Sequence, residues 1–223
     1  MKIVLLHAFP LDSRMWENQR FEHDIVAPDL YGLGSVPTME EWARAVLGRV
    51  EGDFVAVGAS MGGYCALAMA RIAPERMRAL VLAGSPARAD TPERREGRAA
   101  TIELIRRGGA EALWEDMRPK LFPESADRRV VDWARTMTLA QDPQGLVRAV
   151  QAIRDRPDST AVVETLTCPV LVAVGKSDPF LPVDEAEALA ESVADGRLVV
   201  FPSGHLPSLE RPEEFNTALI SLL

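Results

Sequence analysis

The chain has 223 residues, two cysteines, three histidines and a formal net charge of −8 at pH 7. That length suits one domain, and 47% hydrophobic against 26% charged residues can fill a sizeable core. The acidic balance argues against nucleic acid and anionic lipid as partners, since their phosphates demand a basic surface.

No stretch approaches the ~20 apolar residues of a membrane span. The opening run Met1 to His7 is too short for a signal peptide and no small-residue cleavage site follows it. Cys65 and Cys168 read as small buried hydrophobes, which suits a reducing cytoplasm better than a disulfide scaffold. Without a Cys or His cluster, neither a metal site nor a bound cofactor is expected.

In chain order, short continuous apolar runs alternate with helical patterns, the mark of a parallel sheet covered on both faces. Strands are expected over Ile3 to His7, Asp24 to Ala27, Phe54 to Gly58, Ala79 to Ala83, Val170 to Gly175 and Arg197 to Phe201. Helices are expected over Met39 to Val50, Gly63 to Ile72, Val183 to Ser192 and Pro212 to Leu223. Right-handed crossovers then give a doubly wound, mostly parallel six-stranded sheet in a single domain spanning residues 1–223.

Residues 86–160 break this rhythm. They contain no strand-like run, and Ile102, Leu104, Ile105, Leu113, Trp114, Met117 and Leu121 recur at helical spacing, as do Val130, Val131, Trp133 and Met137 later. The segment reads as a helical cap inserted over the carboxyl edge of the sheet, where open α/β sheets bind ligands. The dense Arg and Glu between Arg88 and Arg107 read as a solvated face, and Pro157 to Thr167 as a return linker.

The most informative stretch is Val55-Ala56-Val57-Gly58-Ala59-Ser60-Met61-Gly62-Gly63-Tyr64. An apolar run enters Gly-x-Ser-x-Gly and a small-residue helical run leaves it. A strand–sharp turn–helix of this kind puts a serine hydroxyl on the apex, with glycines where side chains would collide. Chance supplies Gly-x-Ser-x-Gly often enough that the rest of the chain has to decide. A serine nucleophile needs a base, and the base needs an orienting acid. His23 precedes a strand and reads as a surface residue, and His7 ends one; His205 sits just beyond the last strand, where it can lean over the sheet edge. Asp178 follows the glycine that closes another strand, although Asp-Pro is also an ordinary turn. Ser60, Asp178 and His205 thus occur in the order Ser…Asp…His, each just after a different strand.

With these residues in view, the chain resembles the α/β-hydrolases over nearly its full length. His7-Ala8-Phe9-Pro10 is similar to the family's oxyanion loop, and Asp29-Leu30-Tyr31-Gly32-Leu33-Gly34-Ser35 is a weakened form of its Asp-x-x-Gly-x-Gly-x-Ser turn. Gly175 to Asp178 resembles the acid loop and Gly204 to Pro212 the histidine loop. Ala8 stands where the family has glycine, which predicts a reshaped oxyanion loop. The chain opens at what the family counts as its third strand, which predicts a compact sheet lacking the first two. The resemblance implies an oxyanion hole of the Phe9 and Met61 backbone N–H groups, with His7 holding its loop in place.

The expected function is hydrolysis of carboxylic esters of small, mainly apolar molecules through an acyl-enzyme. Phe9, Trp114, Trp133, Phe180 and Leu206 are the expected substrate contacts. Arg88 to Pro92 and Arg156 to Asp158 are similar to segments of small bacterial carboxylesterases and of 3-oxoadipate enol-lactonases, so a lactone hydrolase is the alternative. A non-catalytic ligand sensor on the same fold is the third reading. Haloalkane dehalogenation would need an aspartate where Ser60 stands.

Overall fold

The computed structural model describes residues 1–222. Six strands, β1 (Lys2–Leu6), β2 (Asp24–Val26), β3 (Phe54–Ala59), β4 (Met77–Ala83), β5 (Val170–Gly175) and β6 (Gly196–Phe201), form one sheet in the order β2-β1-β3-β4-β5-β6. All five pairings are parallel. This is the doubly wound sheet expected from the alternation of apolar runs and helices. The uniformly buried patterns of β3 and β5 show why those runs carry no polar alternation: both of their faces are covered.

The strand order reverses at β1 and β3, which lie side by side although β2 separates them in sequence. Such a reversal leaves a crevice beyond the carboxyl ends of the strands. Phe9, Ser60, Gly84, Asp178 and His205 all lie in the segments that follow strand carboxyl ends. One edge of the sheet therefore gathers residues scattered along the whole sequence.

The covering helices are α1 (Met39–Leu47), α2 (Met61–Ile72), α7 (Val183–Glu191), α8 (Pro207–Glu210) and α9 (Pro212–Ile220). Thr38 starts α1 by accepting the Glu41 N–H at 3.2 Å, and Gly48 caps its carboxyl end, two residues before the expected limit at Val50. Helix α2 begins at Met61, so Gly62 and Gly63 belong to its first turn, while Gly58 lies in β3. For α9, the expected end at Leu223 lies outside the described residues.

Between β4 and β5 run α3 (Pro92–Leu121), α4 (Arg128–Leu139) and α5 (Pro143–Asp155), with no strand among them. Their starts follow the local chemistry: Thr91, Asp127 and Asp142 accept N–H groups of the first turn, and Pro92 and Pro143 open α3 and α5. Helix α3 is broken at Gly109, whose φ of 63° and ψ of −156° no helix accommodates. The linker expected from Pro157 to Thr167 instead contains a short helix, α6 (Thr160–Glu164), with Val163 buried. A segment of five residues is too short to show helical periodicity, so its composition alone read as a connection. The insertion leaves and rejoins the sheet layer at one place, where Ser159 N–H donates to Ala87 C=O at 2.9 Å and Ala89 N–H to Asp158 Oδ2 at 3.0 Å.

The core is continuous from the sheet into the insertion. Leu80 in β4 is fully buried, whereas Val200 on the edge strand β6 is 42% exposed. Leu80→Ala should therefore cost ~2–5 kcal/mol in urea denaturation. Val200→Ala should cost under ~1 kcal/mol in the same assay.

Candidate active site

Ser60 joins β3 to α2 in a conformation that L-residues rarely adopt, φ 49° and ψ −112°, and no other non-glycine residue among those described has a positive φ. The bend is held from β4: Ser60 N–H donates to Ala83 C=O at 2.7 Å, and the Ser85 hydroxyl donates to Ser60 C=O at 3.0 Å. The flanking glycines are required by close approach. A Cβ on Gly58 would sit 2.4 Å from Gly63 N, and one on Gly62 would sit 2.0 Å from Leu6 O. Helix α2 is thus pressed onto β1 at a separation that excludes a methyl group, and the turn throws Ser60 outward.

His205 Nδ1 lies 2.8 Å from Asp178 Oδ2, with both side chains buried. The other carboxylate oxygen of Asp178 accepts from Phe180 N–H at 2.8 Å and Leu181 N–H at 3.3 Å. Three donors therefore fix the carboxylate. It in turn holds the imidazole so that Nε2, the nitrogen facing away from Asp178, is the one left to act as a base. His205 N–H donates to Leu121 C=O at 2.9 Å, which ties the histidine loop to the end of α3. Ser60 and His205 line one cavity, although no hydrogen bond joins the Ser60 hydroxyl to the imidazole.

Gly84 is a site residue that the motifs do not reveal. Its φ is 60°, and a Cβ there would lie 2.9 Å from both Cε1 and Nδ1 of His205 and 3.0 Å from Asp178 Oδ2. The Asp–His pair packs against bare backbone. The available signal was a glycine directly after the apolar run of β4, the position that Gly58 and Gly175 occupy near the ends of their own strands.

Neither the Phe9 nor the Met61 backbone N–H finds an acceptor among the described residues. Phe9 lines the cavity, and Met61 opens α2, where the helix dipole favours negative charge. His7 fastens the first loop: its Nε2 accepts from Leu30 N–H at 2.9 Å, its Nδ1 lies 3.1 Å from Ala8 C=O, and burial lowers its pKa. Ala8, where a glycine was expected, is fully buried and turns its N–H to Met15 Sδ at 3.1 Å.

The cavity is narrow, about 20 Å³, and is also lined by Tyr64, Phe180 and, from the insertion, Arg98, Met117 and Ile153. Of the expected substrate contacts, Phe9 and Phe180 face it. Trp114 and Leu206 are buried elsewhere in the core, with Trp114 packed against Phe122 at 6.4 Å between ring centroids. Trp133 lies under the Arg14 guanidinium at 5.4 Å.

The charges expected to be solvated include a buried cluster. Arg156 Nη1 is 2.8 Å from Asp90 Oδ1, close enough for an ion pair though not aligned as a hydrogen bond, and Arg98 Nε donates to Asp90 Oδ2 at 3.0 Å. The Arg156 guanidinium also lies 3.9 Å above the Tyr64 ring. The two unpaired thiols carry little chemistry: burial pushes Cys65 up to about 12 and also raises Cys168, which is only half-buried. Among the described residues no group of three His, Cys, Asp or Glu side chains is placed to hold a metal ion.

The family model for the alpha/beta hydrolase family matches residues 3–218. The chain belongs to this family. A pimeloyl-[acyl-carrier protein] methyl ester esterase of Nitrosomonas europaea is 29% identical over 96% of this chain and 92% of its own. A 3-oxoadipate enol-lactonase of Acinetobacter baylyi is 24% identical over 96% and 85%. Among solved structures, a thermophilic esterase from Thermogutta terrifontis, with malate bound, superposes with a TM-score of 0.92 at 38% identity, covering 99% of this chain and 88% of that one. The α/β-hydrolase described here is thus close to esterases and enol-lactonases alike. No helix among its described residues is long and apolar enough to cross a membrane.

One further carboxyl supports the histidine loop of this hydrolase. Glu210 Oε1 accepts the Gly204 N–H at 2.9 Å, and burial pushes its pKa from 4.5 up to about 7. A raised acid holds a proton in the folded state that the unfolded chain has released, so its contribution to stability is present at low pH and is lost as pH rises from 4.5 to about 7. Relative to Glu210→Gln, the native protein should lose on the order of 1 kcal/mol across that window, after allowing for the carboxyl's partial contact with solvent. Urea denaturation of both proteins at about pH 5 and pH 8 checks this.

Proposed function

We propose that the protein is a serine hydrolase that cleaves carboxylic esters of small molecules, with Ser60, His205 and Asp178 as its catalytic triad. The observation that carries this reading is the strained Ser60 bend opening onto the same cavity as an imidazole whose far nitrogen is held by a three-times anchored carboxylate. A structural serine would have no reason to occupy a backbone conformation that costs ~1–3 kcal/mol.

In this mechanism His205 Nε2 takes the Ser60 proton as Oγ attacks the ester carbonyl, and the Phe9 and Met61 N–H groups receive the oxyanion. Collapse expels the alcohol, which takes the proton back from His205, and an acyl group remains on Ser60. Water then gives its proton to His205 and attacks the acyl carbon, and Ser60 leaves with that proton as the acid is released. Asp178 holds Nδ1–H throughout and so fixes the tautomer. The helices of residues 86–160 act as a cap, since Arg98, Met117 and Ile153 close the cavity from that side. Two unpaired cysteines, one fully buried, support a cytoplasmic setting.

Lactone hydrolysis is the second reading. It uses the same groups, because a lactone is an ester whose leaving alcohol stays tethered, and an enol-lactonase from Burkholderia xenovorans shares the fold at 25% identity with a TM-score of 0.86. Parallel assays on methyl esters and on lactones of matched size distinguish the two.

Labelling by a fluorophosphonate probe, and its loss in Ser60→Ala and His205→Ala, tests the triad directly. Ser60→Ala should lower turnover of an activated ester ~10³-fold or more; full activity in that variant would reject the assignment. Gly84→Ala, which leaves all three side chains in place, should reduce kcat/KM ~10²-fold by displacing the imidazole.

A further inference from the structure

The cavity beside Ser60 is walled by the apolar side chains of Phe9, Met117, Ile153 and Phe180 and by the polar ones of Ser60, His205, Tyr64 and Arg98, of which only Arg98 carries a fixed charge. Its Nε is spent on Asp90, but among the described residues neither Nη atom has a hydrogen-bond partner, and the side chain keeps 20% of its surface open. Asp90 does not neutralise it. That carboxylate is fully buried and shared with Arg156, itself 3% exposed and also near Asp158, so Arg98 has only a shared carboxylate set against it. Arg94, one helical turn earlier on α3, donates through Nη2 to Phe180 C=O at 3.4 Å, which brings a further cation against the cavity wall. The other acids nearby are engaged elsewhere: Asp178 holds His205, Phe180 and Leu181, and Asp158 accepts from Ala89 N–H and Thr160 N–H.

An unspent fork of N–H donors, fixed from behind by a buried carboxylate on the wall of the cleft that Ser60 and His205 share, is built to receive a carboxylate in two parallel hydrogen bonds. We infer that Arg98 binds a free carboxylate of the substrate, and that the preferred substrates are therefore esters or lactones that carry a second, ionised carboxyl group. This rests on the hydrolase reading for the reaction at Ser60, but the anion site itself does not depend on it. Tyr64, pinned by Arg156 at 3.9 Å, and the apolar pair Met117 and Ile153 contact the uncharged part of such a substrate.

The test compares molecules of equal shape and different charge. Monomethyl esters of succinic, glutaric and adipic acid are assayed against the corresponding neutral amide-esters, and acetoxy acids against acetoxy amides, which covers a carboxylate on either side of the scissile bond. The wild-type kcat/KM should favour at least one carboxylate over its amide by ~10- to 100-fold, the range for a hydrogen-bonded charge. Arg98→Gln should abolish that ratio, and Arg98→Lys should restore part of it. A ratio within each protein is read, so a general loss from disturbed packing around Asp90 cancels.

A wild type that turns over the amides as fast as the acids, or an Arg98→Gln protein that keeps the ratio, overturns the proposal. No turnover of any ester together with no fluorophosphonate labelling overturns the hydrolase reading instead. In that event calorimetry with the free dicarboxylates decides the anion site: binding to Ser60→Ala protein that weakens ~10-fold or more when Arg98→Gln is added supports it, and equal or absent binding in both sinks it.

Discussion

Everything at the carboxyl edge depends on how closely α2 is packed on the sheet. Gly62 stands so near Leu6 that a single methyl group would overlap a carbonyl oxygen, and Gly58 faces Gly63 in the same way. Close packing here forces the chain to reverse within one residue, which gives Ser60 its positive φ. It also leaves the first amides of α2 unspent at the place where the order of the strands reverses. Position, strain and local dipole at Ser60 therefore share one steric origin.

Around that bend the molecule arranges rigid supports of different kinds. The Asp178–His205 pair rests on bare backbone at Gly84, the loop after β1 is pinned by His7 to Leu30, and the histidine loop is tied to α3 through Leu121. The supports come from the segment after β4, the segment after β1 and the end of α3.

Much of this was legible in the sequence because it rests on local rules. Continuous apolar runs in β3 and β5 record strands buried on both faces, and Gly58 and Gly62 around Ser60 mark a bend too tight for side chains at those two positions. What stayed hidden depends on contacts between distant segments. Arg98 and Asp90 sit in a stretch so rich in charge that a solvated helix was the natural reading, and only the fold brings Arg156 against them from the end of α5. Trp114 and Trp133 show the converse: helical spacing puts them on apolar faces but does not say whether a face meets the cavity or the core. Gly84 lacked a motif because its role lies in what it leaves room for.

The backbone at Ser60 has a consequence for how this protein can be improved. Glycine would relax the bend, so a search conducted only for thermal endurance should drift toward replacing the serine, and under the proposed triad would return sturdier, inert molecules. In the proposed mechanism robustness and reactivity draw on the same torsion angle in opposite senses. Gains in one that spare the other have to come from parts of the chain that never feel the bend.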